Sequence, residues 1–186
     1  MQRIDGKAYP TVTEDGIYGF FQEYRFLSNF HECSVWMVGA TYPTSEHAYM
    51  AQKTLNIRTR QKISKLSTPQ AAKAFAKTLP LRPDWETVKR DRMYAVLECK
   101  FVQNKYLRIL LDRTGDKYLE ETNWRGDRYW GVCEGEGKNH LGRLLMRLRR
   151  ELRNEVVAKD SRPASNMVRV PRHHTSDDSV RSSVCA

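Results

Sequence analysis

All four tryptophans of this chain, Trp36, Trp85, Trp124 and Trp130, and nearly all of its long apolar side chains fall between Ile17 and Arg153. That concentration allows one hydrophobic core and fixes where it lies. The flanks have little to bury. Residues 1–16 read as a polar lead-in. Residues 154–186, with a Ser-Arg-Pro step, His173-His174 and a Ser-rich end, read as a disordered basic tail. No internal repeat divides the central zone, so residues 17–153 are expected to form a single domain.

Composition narrows the class. Of 186 residues, 40% are hydrophobic and 29% charged, the balance of an ordinary water-soluble domain. No apolar run is long enough to span a bilayer, and the opening MQRIDGKAYP lacks the apolar segment of a secretory signal. No membrane association is expected. Cys33, Cys99, Cys133 and Cys185 form no CxxC pair, so we expect no disulfide scaffold, a reducing compartment and hence the cytoplasm. Lys and Arg number 32 against 22 Asp and Glu, a net charge of +10. That favours anionic partners, either a phosphorylated metabolite or nucleic acid.

The central zone mixes periods of two and 3.6. Ile17–Phe21, Val35–Val38 and Ala40–Tyr42 read as short strands, the last two joined by a tight turn at Gly39. Helices are expected from Thr44 or Ser45 to about Leu55 and from Arg58 to Leu66. A third starts after a Thr68 cap with Pro69 in its first turn and runs to Lys77. A long helix from Trp85 to about Gln103 has Asp84 as its expected cap. Further helices cover Asn104 to Arg113 and Leu141 to Arg153, and a strand covers Lys117 to Glu121. The last helix buries a stripe of Leu141, Leu144, Leu145, Leu148 and Leu152 and turns Arg143, Arg147, Arg150 and Arg153 outward. The fold class is therefore α+β, mostly helical, with a few short strands.

Four segments carry more special residues than packing demands. RFLSNF (25–30) offers Asn29 as a ligand for a hydroxyl. TYPTSEHAYMAQK (41–53) places Glu46 in the first turn of a helix, with Tyr49, Met50 and Lys53 on the same face and Lys53 about 10 Å further along. The positive helix end should keep Glu46 ionised, which suits a base or a cation stabiliser. His47, off that face, reads as a structural histidine. LPLRPDW (79–85) sets Arg82 beside Trp85, a platform for a phosphate and a flat ring. YWGVCEGEGKNHLG (129–142) is the most specific. Its glycines, Lys138 and Asn139 stand directly before a helix, as in backbone anion sites, with Trp130 as a stacking face and Glu134 and Glu136 as carboxylates. It is neither a P-loop nor a dinucleotide fingerprint. Cys133 has no histidine in a nucleophile-base relation, and no spacing suits zinc.

Taken in order, SNF, TSEH with AQK, LRPDW, YWG, and GKNHLG followed by LLMRLR resemble the NADAR family of YbiA-like N-glycosidases, over about Gly16 to Arg153. The resemblance implies a compact α+β domain and an enzyme that hydrolyses the bond between a ribose and a base or amine, with no cofactor and no metal. The implied substrates are the phosphoribosylamino-pyrimidine intermediates of riboflavin biosynthesis, releasing ribose 5-phosphate. The alternatives are ADP-ribosylated guanine in nucleic acid or NAD derivatives, and a non-catalytic ADP-ribose-binding module.

Breaking a ribosyl C–N bond builds positive charge on the sugar, which a carboxylate stabilises. Glu46, at the family's TSEH position, is the expected catalytic carboxylate. Trp85 or Trp130 is expected to stack the base. Arg82, Lys53, Lys138 and the loop from Gly135 to Asn139 are expected to hold the phosphate, Asn29 and Asn139 the hydroxyls, and Gly131, beside Trp130, is a further expected substrate contact. One departure stands out. Many members carry Asp after the Trp-Gly pair, where this chain has Val132. Glu134 or Glu136 is the expected replacement, Glu134 being the second catalytic candidate.

Overall fold

The computed structural model describes residues 2–4 and 7–160. The chain order is β1 (Gln2–Ile4), β2 (Lys7–Tyr9), β3 (Thr11–Val12), β4 (Gly16–Tyr18), a 3-10 helix (Gln22–Leu27), β5 (Glu32–Met37), β6 (Ala40–Thr44), α1 (Ser45–Gln52), α2 (Ile57–Ser64), α3 (Pro69–Lys77), α4 (Trp85–Gln103), α5 (Lys105–Arg113), β7 (Tyr118–Glu120), β8 (Thr122–Asn123), β9 (Val132–Cys133) and α6 (His140–Asp160). The α+β expectation holds. The strands are short and the helices form most of the core.

Local signals explain the elements. Val38 and Gly39 both take positive φ, 51° and 75°, so Met37 pairs with Ala40 across a two-residue turn and β5–β6 is a tight hairpin. Thr68 Oγ1 accepts the Ala71 N–H at 3.0 Å, with Pro69 in the first turn of α3. Asp84 makes no cap. Its carboxylate is taken by the Arg82 guanidinium at 2.5 and 2.8 Å, so α4 starts without a side-chain acceptor. The α1 helix closes at Gln52, short of Leu55.

Other boundaries also differ from expectation. The polar lead-in is not featureless: β1 and β2 pair antiparallel, and β3 pairs with β4. The strand begun at Gly16 stops at Tyr18, because Gly19 turns at φ 82° and leads into the 3-10 helix that buries Phe26 and Leu27. The α6 helix passes Arg153 and reaches Asp160. Arg153 bonds Asp112 and Asp116 at 2.5 and 2.7 Å and ties its last turns to the end of α5. The rest of the expected tail, residues 161–186, lies outside the described residues.

The central helix is α4, whose Met93, Val96, Leu97 and Phe101 are buried among α1, α5, α6 and β5. The β4 and β7 strands pair in parallel, Ile17 opposite Leu119, bringing residues far apart in sequence into one sheet. The α6 helix packs onto this sheet at Gly142. A Cβ there would lie 2.0 Å from the Leu119 carbonyl oxygen and 2.6 Å from the Asn139 side chain. Gly142→Ala should therefore cost about 1–3 kcal/mol, read as a lowered urea midpoint.

Candidate functional site

Two chain segments meet at the start of α1. Thr44 is extended and caps the helix, and its hydroxyl bonds Nδ1 of His47 at 2.8 Å. His47 Nε2 lies 3.1 Å from the Leu66 carbonyl, so the ring is the satisfied structural histidine its position suggests. The amide of Glu46, one of the first-turn donors a helix leaves unpaired, donates to the Asn29 carbonyl at 2.9 Å. Ser28, one residue earlier, offers its carbonyl to Nζ of Lys100, a fully buried amine on α4, at 2.9 Å. These bonds fix Asn29 beside Glu46. Both are buried, and the Asn29 Oδ1 has no hydrogen-bond partner.

Glu46 opens onto a cavity of about 360 Å³. Its walls include Asn29, Tyr49, Lys53, Lys73, Trp85, Lys89, Tyr129 and Trp130, and three acidic residues absent from the sequence expectations, Glu86, Glu121 and Asp127. The rings interlock. Tyr49 lies 5.3 Å from Trp85 and 5.5 Å from Trp130, edge to face with the latter. Lys53 Nζ sits 5.8 Å above the Trp85 ring, and Lys89 sits 4.2 Å above Tyr129.

Glu121 arrives by long-range pairing. It follows β7, and its amide donates to Oδ1 of Asn139 at 3.1 Å. Asn139 takes a left-handed φ of 47° and spends its Nδ2 on the Tyr118 hydroxyl and the Leu119 carbonyl, both at 2.8 Å. Asp127 Oδ1 accepts the amides of Tyr129 and Trp130 at 3.1 and 2.8 Å, which sets the aromatic wall.

Electrostatically the carboxylates oppose one another. Burial raises the Glu46 pKa above the usual range, and Asp127 adds to this, while Lys73, Lys53 and Asn29 act the other way. Desolvation thus acts against the helix end, which favours the ionised form of Glu46. Burial pushes Glu121 up to about 8, with Asp127 and Glu46 adding to the rise and Arg25 and Lys100 opposing it. One Glu121 oxygen, Oε2, is buried without a partner.

The structure brings Asn29, Glu46, Lys53, Trp85 and Trp130 together. It does not bring the others. Glu134, the second catalytic candidate, is exposed and pairs with Arg128 at 2.9 Å, and Glu136 pairs with the same arginine at 3.2 Å. Neither replaces the carboxylate missing at Val132, which is buried in β9. Arg82 is held by Asp84. Lys138 is exposed, 5.9 Å from the Tyr129 ring, and no residue from Glu134 to Asn139 lines the cavity. Gly131 serves packing: a Cβ would lie 2.1 Å from the Glu121 carbonyl oxygen. Asn139 positions Glu121 and has no side-chain donor left for a ligand hydroxyl. The signal for Glu121 and Asp127 was the acidic and aromatic stretch that follows the expected strand Lys117–Glu121, which gains its burial only when β7 pairs with β4 and β8 with β9.

The folded state holds the Glu121 proton more tightly than the unfolded chain does. Stability from this group is present below its ordinary pKa, near 4.5, and is lost as pH rises to about 8. Glu121→Gln should therefore raise the melting temperature relative to the parent at pH 8 and change it little at pH 4.5, measured by calorimetry across that range.

Residues 14–153 match the family described as the NADAR domain. The N-glycosidase YbiA of Escherichia coli (strain K12) is 40% identical over 147 residues, covering 76% of this chain and 91% of that protein. A riboflavin biosynthesis protein of Vibrio vulnificus is 37% identical over 140 residues, covering 73% of this chain and 37% of that one. The NMR structure of E. coli YbiA superposes with a TM-score of 0.70 at 36% identity, covering 85% of this chain and 95% of that one. The chain belongs to the NADAR domain family.

Proposed function

We propose that this protein is an N-glycosidase of the cytoplasm that hydrolyses the ribosyl C–N bond of a phosphorylated nucleoside-like metabolite. The proposed substrates are phosphoribosylamino-pyrimidines, with ribose 5-phosphate and a free aminopyrimidine as products. The observation that carries it is the placement of Glu46 and Glu121 in one cavity walled by aromatic rings and lysines. The N-glycosidase relatives and the riboflavin biosynthesis relative support the reaction and substrate class. The unpaired thiols Cys33, Cys99 and Cys133 suit a reducing compartment.

The chemistry divides between the two carboxyl groups. A proton held to about pH 8 makes Glu121 the acid: it protonates the leaving nitrogen as the C–N electron pair moves onto it. Glu46, whose negative charge is favoured by Lys53 and Lys73, stabilises the cationic sugar carbon. It then takes a proton from the water that adds there. The sugar gains hydroxyl, the base gains hydrogen, and the two carboxyl groups have exchanged one proton, which solvent restores.

Mass spectrometry of the released sugar tests this. Parent protein with a phosphoribosylamino-pyrimidine should yield ribose 5-phosphate, and Glu46→Gln should lower the rate by about 10²-fold or more. Release of ADP-ribose from ADP-ribosylated guanosine DNA, with no turnover of the pyrimidine, would replace the substrate class. No release from either would overturn the enzymatic reading. The kcat/KM profile should fall above about pH 8 as Glu121 loses its proton, and that limb should vanish in Glu121→Gln.

A further inference from the structure

The cavity at Glu46 does not end at Glu121. A second cavity of about 190 Å³ shares Ser28, Phe30, Lys73, Glu121 and Asp127 with it and continues past them. Glu46 lines only the first cavity, whereas Glu121 lines both. The second cavity is walled by Phe20, Phe21, Phe30 and Trp124, with Arg25 and Arg125 beside them.

Resting on the N-glycosidase reading above, we infer that this second cavity is the leaving-base subsite and that Trp124, rather than Trp85 or Trp130, stacks the heteroaromatic ring. The order of groups along a substrate supports it. The reacting sugar carbon must lie near Glu46, in the first cavity. The proton donor must lie between sugar and base, and Glu121 stands at the junction. The base therefore falls beyond Glu121, where the wall is aromatic and the space suits a single ring. The sugar phosphate stays in the first cavity, where Lys53 and Lys89, which do not line the second, supply cations.

The turn that carries Trp124 is built to hold still. Asn123 Oδ1 accepts the amides of Arg125 and Asp127, both at 3.0 Å, and its Nδ2 donates to the Asp127 and Val132 carbonyls at 2.8 and 3.1 Å. Trp124 remains 45% exposed, packed 5.8 Å from Phe21, with the Arg125 guanidinium 5.4 Å from its ring. An exposed indole on a rigid turn beside a buried acid is a stacking face with little ordering cost. By contrast Trp85 is 5% exposed and locked against Tyr49, leaving little face for a base.

Calorimetric titration of the full chain with a free diaminopyrimidine and, separately, with ribose 5-phosphate separates the two cavities. Trp124→Ala should weaken the pyrimidine by roughly 10- to 100-fold and leave ribose 5-phosphate unchanged, and Trp124→Phe should restore the pyrimidine. In turnover, Trp124→Ala should raise KM more than it lowers kcat. Equal pyrimidine binding by parent and Trp124→Ala, no pyrimidine binding by the parent, or equal loss of both ligands would overturn the subsite. Parent turnover with an unchanged KM in Trp124→Ala would do the same while leaving the N-glycosidase reading standing. Absence of parent turnover would instead remove that reading, and the subsite would fall with it.

Discussion

The buried side chain of Asn139 joins the two halves of this molecule. Its amide spans the Glu121 N–H, the Leu119 carbonyl and the Tyr118 hydroxyl, at 3.1, 2.8 and 2.8 Å. One residue thereby fixes the end of β7, the entry to α6 and the direction in which Glu121 leaves the sheet. A residue with φ of 47° costs strain unless such bonds hold it. The close approach of α6 at Gly142 and of the loop at Gly131 both depend on this same junction. The opposite wall rests on the bond from the Glu46 amide to Asn29 and on the Lys100 amine beneath Ser28.

Those two anchors hold an arrangement that opposes folding. Burial raises the proton affinity of Glu46 and Glu121, Asp127 adds to the rise at both, and Glu46 adds to it at Glu121. The opposing cations come from separate elements: Lys53 from the end of α1, Lys73 from α3, Lys100 from α4 and Arg25 from the 3-10 helix. Glu46 and Glu121, which line one cavity, are therefore expected to titrate as a pair. A carboxyl group that holds its proton to about pH 8, beside a second carboxyl flanked by lysines, is poised to give a proton during bond cleavage.

The sequence was informative where a local rule decides the structure. The Thr68–Pro69 start, the Val38–Gly39 turn and the leucine stripe of α6 follow from neighbours in the chain, and so does Glu46 in a first helical turn. It was silent where the site comes from distant pairing. Glu121 ends the expected strand Lys117–Glu121, but nothing in Leu-Glu-Glu-Thr-Asn marks it as buried; the parallel pairing of β4 with β7 carries the chain just ahead of it into the sheet. Arg82 and Glu134 misled for one shared reason. Each has an opposite charge close by, Asp84 and Arg128, that takes it away from a ligand. The glycine-rich loop misled because Gly131 and Gly137 meet close backbone contacts, Gly137 against the Gly131 carbonyl, in place of a phosphate, while Gly135 turns in open space.

The central claim is that Glu46 and Glu121 form one coupled proton site. Carbon-13 NMR titration of the two side-chain carboxyls, in the parent and in each glutamine variant, tests it directly. The account predicts that Glu121 titrates near 8 in the parent and that replacing Glu46 lowers this value, because a neighbouring charge has gone. Two carboxyls that titrate independently, each near the ordinary value of 4.5, would contradict it.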